Sequence, residues 1–149
     1  MKAVVCKEFG PPEKLLIEEV PDPEAGPGQV VIDVKAAAVT FPDTLMIEDK
    51  YQFKAAPPFV PGGEVAGVIS AVGEGVEGFT EGDRVVGSAG IVGGFAEKAV
   101  VPAVSTRKIP DGADFAEATG LLYAYGTGYY GLHHRGHLQP GETLLVLGA

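Results

Sequence analysis

Glycine and proline cut the first two-thirds of this chain into pieces too short for long helices. Up to Pro110, stretches rich in β-branched and aromatic residues run 2–7, 15–20, 29–37, 64–72, 84–88, 94–102 and 106–109. The breaks between them carry turn chemistry: Gly10-Pro11-Pro12, Pro21-Asp22-Pro23, Gly26-Pro27-Gly28, 73–75 and Glu81-Gly82-Asp83. Glycine supplies left-handed backbone at such sites and proline pre-sets φ. Short strands at this spacing predict a mainly β barrel or sandwich. One interval departs from the pattern, 41–61, where Asp43-Thr44-Leu45-Met46-Ile47 predicts a short helix before a proline-rich loop. The 22 Gly and 12 Pro follow no period and sit among 46% hydrophobic residues, which excludes collagen and argues against disorder.

Past Pro110 the period changes. Asp114 and Glu117 have the spacing of a capping box, and Phe115, Ala118, Leu121, Leu122 and Tyr125 recur as on one helix face. A second helical stretch is expected from Gly126 or Thr127 to about His134, ending near Gly136. Gln139-Pro140-Gly141-Glu142 then reads as a turn, and 143–147 as an apolar strand running into Gly148-Ala149. A length of 149 residues allows one domain, or one domain with part of another.

Charge and cysteine content remove several function classes. With 20 Asp+Glu against 11 Lys+Arg and a net charge of −9, no basic face is available for nucleic acid or for an anionic membrane. No apolar run approaches the roughly 20 residues that cross a bilayer. Residues 1–8 lack the apolar core of a signal peptide. Cys6 is the single cysteine, so no internal disulfide forms, and cytoplasmic residence is expected.

Few residues invite chemistry. Pro61-Gly62-Gly63-Glu64 reads first as a turn into a buried strand. The Glu64 carboxylate then needs a partner, and Arg84 is the candidate for a structural ion pair. Thr40-Phe41-Pro42-Asp43 places a hydroxyl and a carboxylate at a strand end, followed by Tyr51 in an aromatic pair with Phe53. Tyr51 is read either as a proton donor or as the cap of a loop. His133, His134 and His137 read as a solvated helix end in preference to a metal site, because Arg135-Gly136 interrupts the helix between them. Cys6 reads as a small core residue. There is no serine or cysteine nucleophile motif, no paired CxxC and no complete GxGxxG; 144–149 offers only the opening of a dinucleotide-binding turn.

Together these residues resemble the N-terminal part of a medium-chain dehydrogenase/reductase, in its zinc-independent quinone oxidoreductase branch. The motifs are Val39-Thr40-Phe41-Pro42-Asp43-Thr44-Leu45-Met46, Tyr51-Gln52, Pro61-Gly62-Gly63-Glu64-Val65-Ala66-Gly67, Gly82-Asp83-Arg84-Val85 and Gly93-Gly94-Phe95-Ala96-Glu97, in that order. The resemblance implies a GroES-like, partly open β-barrel with short helices over 1–124. It implies the first helix and strand of a truncated α/β Rossmann domain over 125–149. Zinc alcohol dehydrogenases of the superfamily carry Cys at the place of Thr40 and His at the place of Gly63, so no zinc is expected.

The activity implied is hydride transfer from NADPH to a quinone or α,β-unsaturated carbonyl, with the isolated piece inactive. Tyr51 and Thr40 are the implied catalytic residues. Thr40, Phe41, Pro42, Thr127 and Gly148 are implied at the cofactor, with Phe41 and Pro42 lining the pocket, and Asp43, Glu64 and Arg84 are structural. The only partners implied are a small-molecule acceptor and a second copy in a full-length homodimer. The alternatives are an enoyl-thioester reductase and, from another class, a non-catalytic GroES-like binding or structural module.

Overall fold

The computed structural model describes residues 1–148. Seven strands form: β1 (Lys2–Val5), β2 (Leu16–Glu19), β3 (Gln29–Ala38), β4 (Glu64–Val72), β5 (Arg84–Ser88), β6 (Lys98–Pro102) and β7 (Thr106–Lys108). Five of them make an antiparallel sheet in the order β6-β3-β4-β5-β7, while β1 and β2 pair separately. The small pair is stitched to the large sheet by Val4 N–H to Phe95 O at 2.8 Å, Glu97 N–H to Lys2 O at 3.0 Å and Cys6 N–H to Phe59 O at 2.8 Å. The result is a mostly β, partly open barrel.

Residues 94–97 were expected at the start of β6 and lie outside it. Gly94 N–H turns to Gly62 O and Phe95 N–H to Pro61 O, both at 2.9 Å, while Phe95 O serves β1. These backbone groups are divided between two segments, so no single ladder can hold them.

Two apolar layers form because alternate residues of a strand face opposite sides. Val30, Ile32, Val65, Ile69, Val85, Ala99 and Val101 fill the barrel interior. Ala66, Val86 and Ile109 face the other way, against Phe115, Ala118 and Leu122. β4 is therefore covered on both sides, and Glu64, two residues before Ala66, shares the outer face. A fully buried valine or isoleucine contributes about 1.5–3 kcal/mol. An exposed ion pair such as Lys7–Glu18, at 2.7 Å, contributes about 0–1 kcal/mol. The interior, not the surface charge, holds the fold. Cys6 belongs to that interior at 1% exposure, and burial pushes its thiol up, as suits a packing residue. Where β3 and β4 cross most closely, the Asp33 carbonyl stands where a Gly67 side chain would begin. The register shift beside it, between Val34 and Ala36, bends the pair toward closure.

Helices are few. α1 (Phe41–Ile47) starts two residues earlier than the sequence suggested, because Thr40 acts as its N-cap residue and Pro42 is tolerated in the first turn. α2 (Phe115–Ala118) is one turn, capped by Asp114, whose Oδ1 accepts from Ala116 N–H at 2.8 Å and Glu117 N–H at 3.1 Å. Residues 121–135 form one continuous helix, α3, from the abutting pieces Leu121–Tyr125, Gly126–Tyr129 and Tyr130–Arg135. The expected break at Gly126 is absent, since wide five-residue turns absorb the glycine; Tyr125 N–H reaches Gly120 O at 2.9 Å. Gly136 and a left-handed His137 end it.

The strand expected at 143–147 does not form among the described residues. An apolar, β-prone run becomes a strand only through neighbours that complete its ladder. None lies beside it, and Leu145 and Leu147 stand 77% and 83% exposed. Ala149, the last residue of the dinucleotide-type opening, lies outside the described residues.

Candidate functional site

A cleft of about 520 Å³ opens where the start of α1, the loop before β4, the loop after β5 and α3 meet. Its walls are Thr40, Pro42, Tyr51, Ile91, Tyr123, Ala124 and Thr127. Its volume is that of a small-molecule site.

Thr40 and Pro42 reach the cleft through the geometry of a helix start. The Asp43 carboxylate folds back, its Oδ2 accepting from Thr40 N–H at 2.6 Å and from Thr40 Oγ at 2.7 Å. Asp43 is only 5% exposed, so this contact fixes the Thr40 hydroxyl in a buried setting. Phe41, expected as a pocket wall, is 74% exposed and does not line the cleft. As the first residue of α1 it lies about 100° round the helix from Pro42 and so off the cleft face.

Tyr51 packs its ring against Phe53, centroids 6.0 Å apart and tilted by 53°. No described residue hydrogen-bonds its hydroxyl. Across the cleft, Tyr123, Ala124 and Thr127 present one face of α3, at the spacing that brings helical neighbours together. Thr127 is exposed at the rim. Gly148 lies outside the cleft, at a φ of +74° that favours glycine.

α3 is docked by Glu64. Its Oε1 accepts from Leu122 N–H at 2.7 Å and its Oε2 from Tyr123 N–H at 3.1 Å. These are helix-start donors that the helix itself leaves open. Burial pushes the Glu64 carboxyl above its ordinary value, and the two N–H groups hold it back in part.

The ion pair expected between Glu64 and Arg84 is not formed. Antiparallel register sets Arg84 opposite Val68 and Glu64 opposite Ser88, so the two stand at opposite ends of the ladder. Arg84 instead donates to Ala113 O and lays its guanidinium 3.9 Å from the centre of the Phe115 ring. Each secures the helical layer at a different point.

Tyr123 escaped the sequence reading. The expected apolar stripe ran through Leu121, Leu122 and Tyr125, of which only Leu122 packs on the sheet while Leu121 and Tyr125 stand 45% and 72% exposed; Tyr123, Ala124 and Thr127 line the cleft. The signal was a tyrosine four residues before the threonine singled out by family resemblance. The histidines sit apart from the cleft: the ring of His133 lies 4.5 Å from that of Tyr129, and that of His134 5.5 Å from that of Tyr130. Among the described residues no cluster of His, Cys, Asp or Glu could hold a metal ion.

The site is thus apolar on Pro42, Ile91 and Ala124, with hydroxyl groups at Thr40, Tyr51, Tyr123 and Thr127 and no charged side chain in its walls. Such a lining suits a neutral, largely apolar small molecule with a few polar atoms.

Comparison with known proteins agrees in scale and sequence. The chain is 42% identical over 149 residues to the quinone oxidoreductase-like protein 2 homolog of Nematostella vectensis, covering 99% of this chain and 40% of that protein. A probable oxidoreductase from Mycobacterium abscessus superposes with a TM-score of 0.89 at 44% identity, over 95% of this chain and 45% of the other. The quinone oxidoreductase of Thermus thermophilus, a structure that includes a complex with NADPH, gives a TM-score of 0.81 at 35% identity, over 95% and 43%. The chain therefore spans less than half the length of these relatives. The family model for the alcohol dehydrogenase GroES-like domain matches residues 26–111. With that match over more than half its residues and medium-chain dehydrogenase/reductase folds as its structural neighbours, the chain belongs to the alcohol dehydrogenase GroES-like domain family.

Proposed function

We propose that this chain is the acceptor-binding part of an NADPH-dependent, zinc-independent oxidoreductase acting on a quinone or an α,β-unsaturated carbonyl. One observation carries the reading: Thr40, Pro42, Tyr51 and Thr127, from three separate parts of the sequence, line one apolar cleft. NADPH binding by the Thermus thermophilus relative supports the choice of cofactor. In this reading 1–124 is the catalytic part, 125–149 opens the nucleotide-binding part, and α3 runs across the junction. Cytoplasmic residence and a homodimer of the full-length protein belong to the same reading. No helix among the described residues is long and apolar enough to cross a membrane.

The residues present fit the nicotinamide end of the cofactor. Thr127 offers an exposed hydroxyl at the rim for a carboxamide, and Pro42 and Ile91 offer flat apolar walls for a ring. When bound, NADPH supplies the hydride. Tyr51, with its hydroxyl open to the cleft, donates a proton to the acceptor oxygen on which negative charge develops. The Asp43–Thr40 contact keeps the opposing wall rigid. Pro42, Ile91 and Ala124 exclude water from the acceptor face.

The donor set also supports independence from zinc. The Thr40 hydroxyl donates to Asp43, and an ideal Cβ on Gly63 would lie 2.8 Å from the Tyr123 hydroxyl. Neither position can present a thiolate or an imidazole. Without a Lewis acid, an already electron-poor acceptor is the fitting substrate.

The test is NADPH oxidation with quinone and enone acceptors, in a form of the protein as long as its relatives. The reading expects turnover that Tyr51→Phe lowers about a hundredfold in kcat. Wild-type turnover in that variant removes Tyr51 from the chemistry.

A further inference from the structure

The two tyrosines of the cleft are in opposite states. The Tyr51 hydroxyl is open, whereas the Tyr123 hydroxyl is committed to the barrel. It shares a hydrogen bond with Ser88 Oγ at 2.8 Å and lies against the carbonyl oxygens of Gly63, at 3.4 Å, and Gly90. Those partners come from the start of β4, the end of β5 and the loop that follows it. A phenol has one proton to donate. Tyr123 donates it to a backbone carbonyl and accepts from Ser88, which leaves no proton for a ligand. Burial also pushes its phenol up, so it stays neutral.

What Tyr123 presents to the cleft is its ring. That ring stands where a side chain on Gly63 would start: an ideal Cβ there would meet Tyr123 Cε2 at 2.7 Å and its hydroxyl at 2.8 Å. That side of the cleft is therefore walled by one aromatic ring, held at its hydroxyl by Ser88 and on its backbone by Glu64. Removing the ring would add space toward Gly63 and Ser88.

We propose that Tyr123 is a specificity-determining residue of the cleft: its anchored ring walls the side facing Gly63 and Ser88 and so limits the size of the acceptor there. The inference rests on the oxidoreductase reading above. It assigns Tyr123 a steric role and no part in proton transfer.

The test compares two fully substituted quinones that do not add to thiols or amines, tetramethyl-1,4-benzoquinone and 2,3-dimethyl-1,4-naphthoquinone. Each is titrated into ¹⁵N-labelled protein, following the amide signals of Thr40, Ile91 and Thr127. Tyr123→Ala is expected to shift the ratio of affinities about tenfold toward the two-ring quinone, the scale of a pocket enlarged by a few carbons. Tyr123→Leu should shift it in the same direction, and it carries the test if the alanine variant does not fold. Tyr123→Phe, which keeps the ring, should keep the wild-type ratio. An unchanged ratio in the alanine or leucine variant, or a shifted one in phenylalanine, overturns the inference and leaves the oxidoreductase reading standing. Failure of wild type to bind either quinone overturns both.

Discussion

Two acidic side chains do most of the positioning at the site, and each acts through backbone donors. Glu64 accepts from the two N–H groups that begin α3, so Glu64→Gln turns an amide NH₂ toward one of them. The expected loss is about 1–3 kcal/mol, read as a lower denaturant midpoint. The pH dependence has a definite sign. Burial raises the folded pKa above the ordinary value of 4.5, so the folded state holds this proton more tightly than the unfolded chain. Glu64's contribution is therefore full below pH 4.5 and declines as pH rises through its raised folded value. Denaturation of wild type and Glu64→Gln across that window checks it: the difference in stability between them should narrow as pH rises, and a widening difference would contradict the assignment. Sequence alone showed that a buried Glu64 needs a partner. It did not show which, because backbone donors carry no residue signature and the attractive charge of Arg84 pointed elsewhere.

Among the elements, α1 and the start of β4 shape the cleft. Asp43→Ala leaves Thr40 N–H and its hydroxyl without their acceptor and is expected to destabilise by about 1–2 kcal/mol, while Asp43→Asn retains one acceptor and loses less. Thermal melts of the two variants rank them. Gly63→Ala drives a methyl group toward Gly90 O at 2.6 Å and the Tyr123 ring at 2.7 Å, so α3 or the loop after β5 must shift. Overpacking of that kind costs about 1–3 kcal/mol. Strands β4 and β5 were legible to the residue because turn residues bound them, Gly63 and Gly73 around β4 and Gly82-Asp83 before β5. The run 143–147 was not, although its composition is just as β-prone. Its ladder depends on neighbours rather than on its own residues, and the same dependence hid the unbroken course of α3, where wide turns carry the chain past Gly126.

At the scale of the molecule, the punctuated sequence yields an open barrel whose edge meets a helix, and the meeting line is the cleft. The family's motifs and matched positions told more than periodicity did: they pointed to Thr40, Pro42 and Tyr51 through the motifs and to Thr127 through a matched position, and the fold puts all four on one wall system. They also placed Phe41 there, which its 74% exposure corrects, and they were silent about Tyr123, Ile91 and Ala124. Motifs carry inherited positions, whereas the remaining walls arise from packing between segments far apart in sequence. The proposed chemistry is reduction of an electron-poor acceptor in this cleft without zinc. It is tested most directly by NADPH-dependent quinone reduction in the protein of relatives' length, before and after exhaustive metal chelation. Turnover that chelation leaves unchanged is expected; no turnover, or turnover lost on chelation and restored by zinc, would overturn the zinc-independent reading.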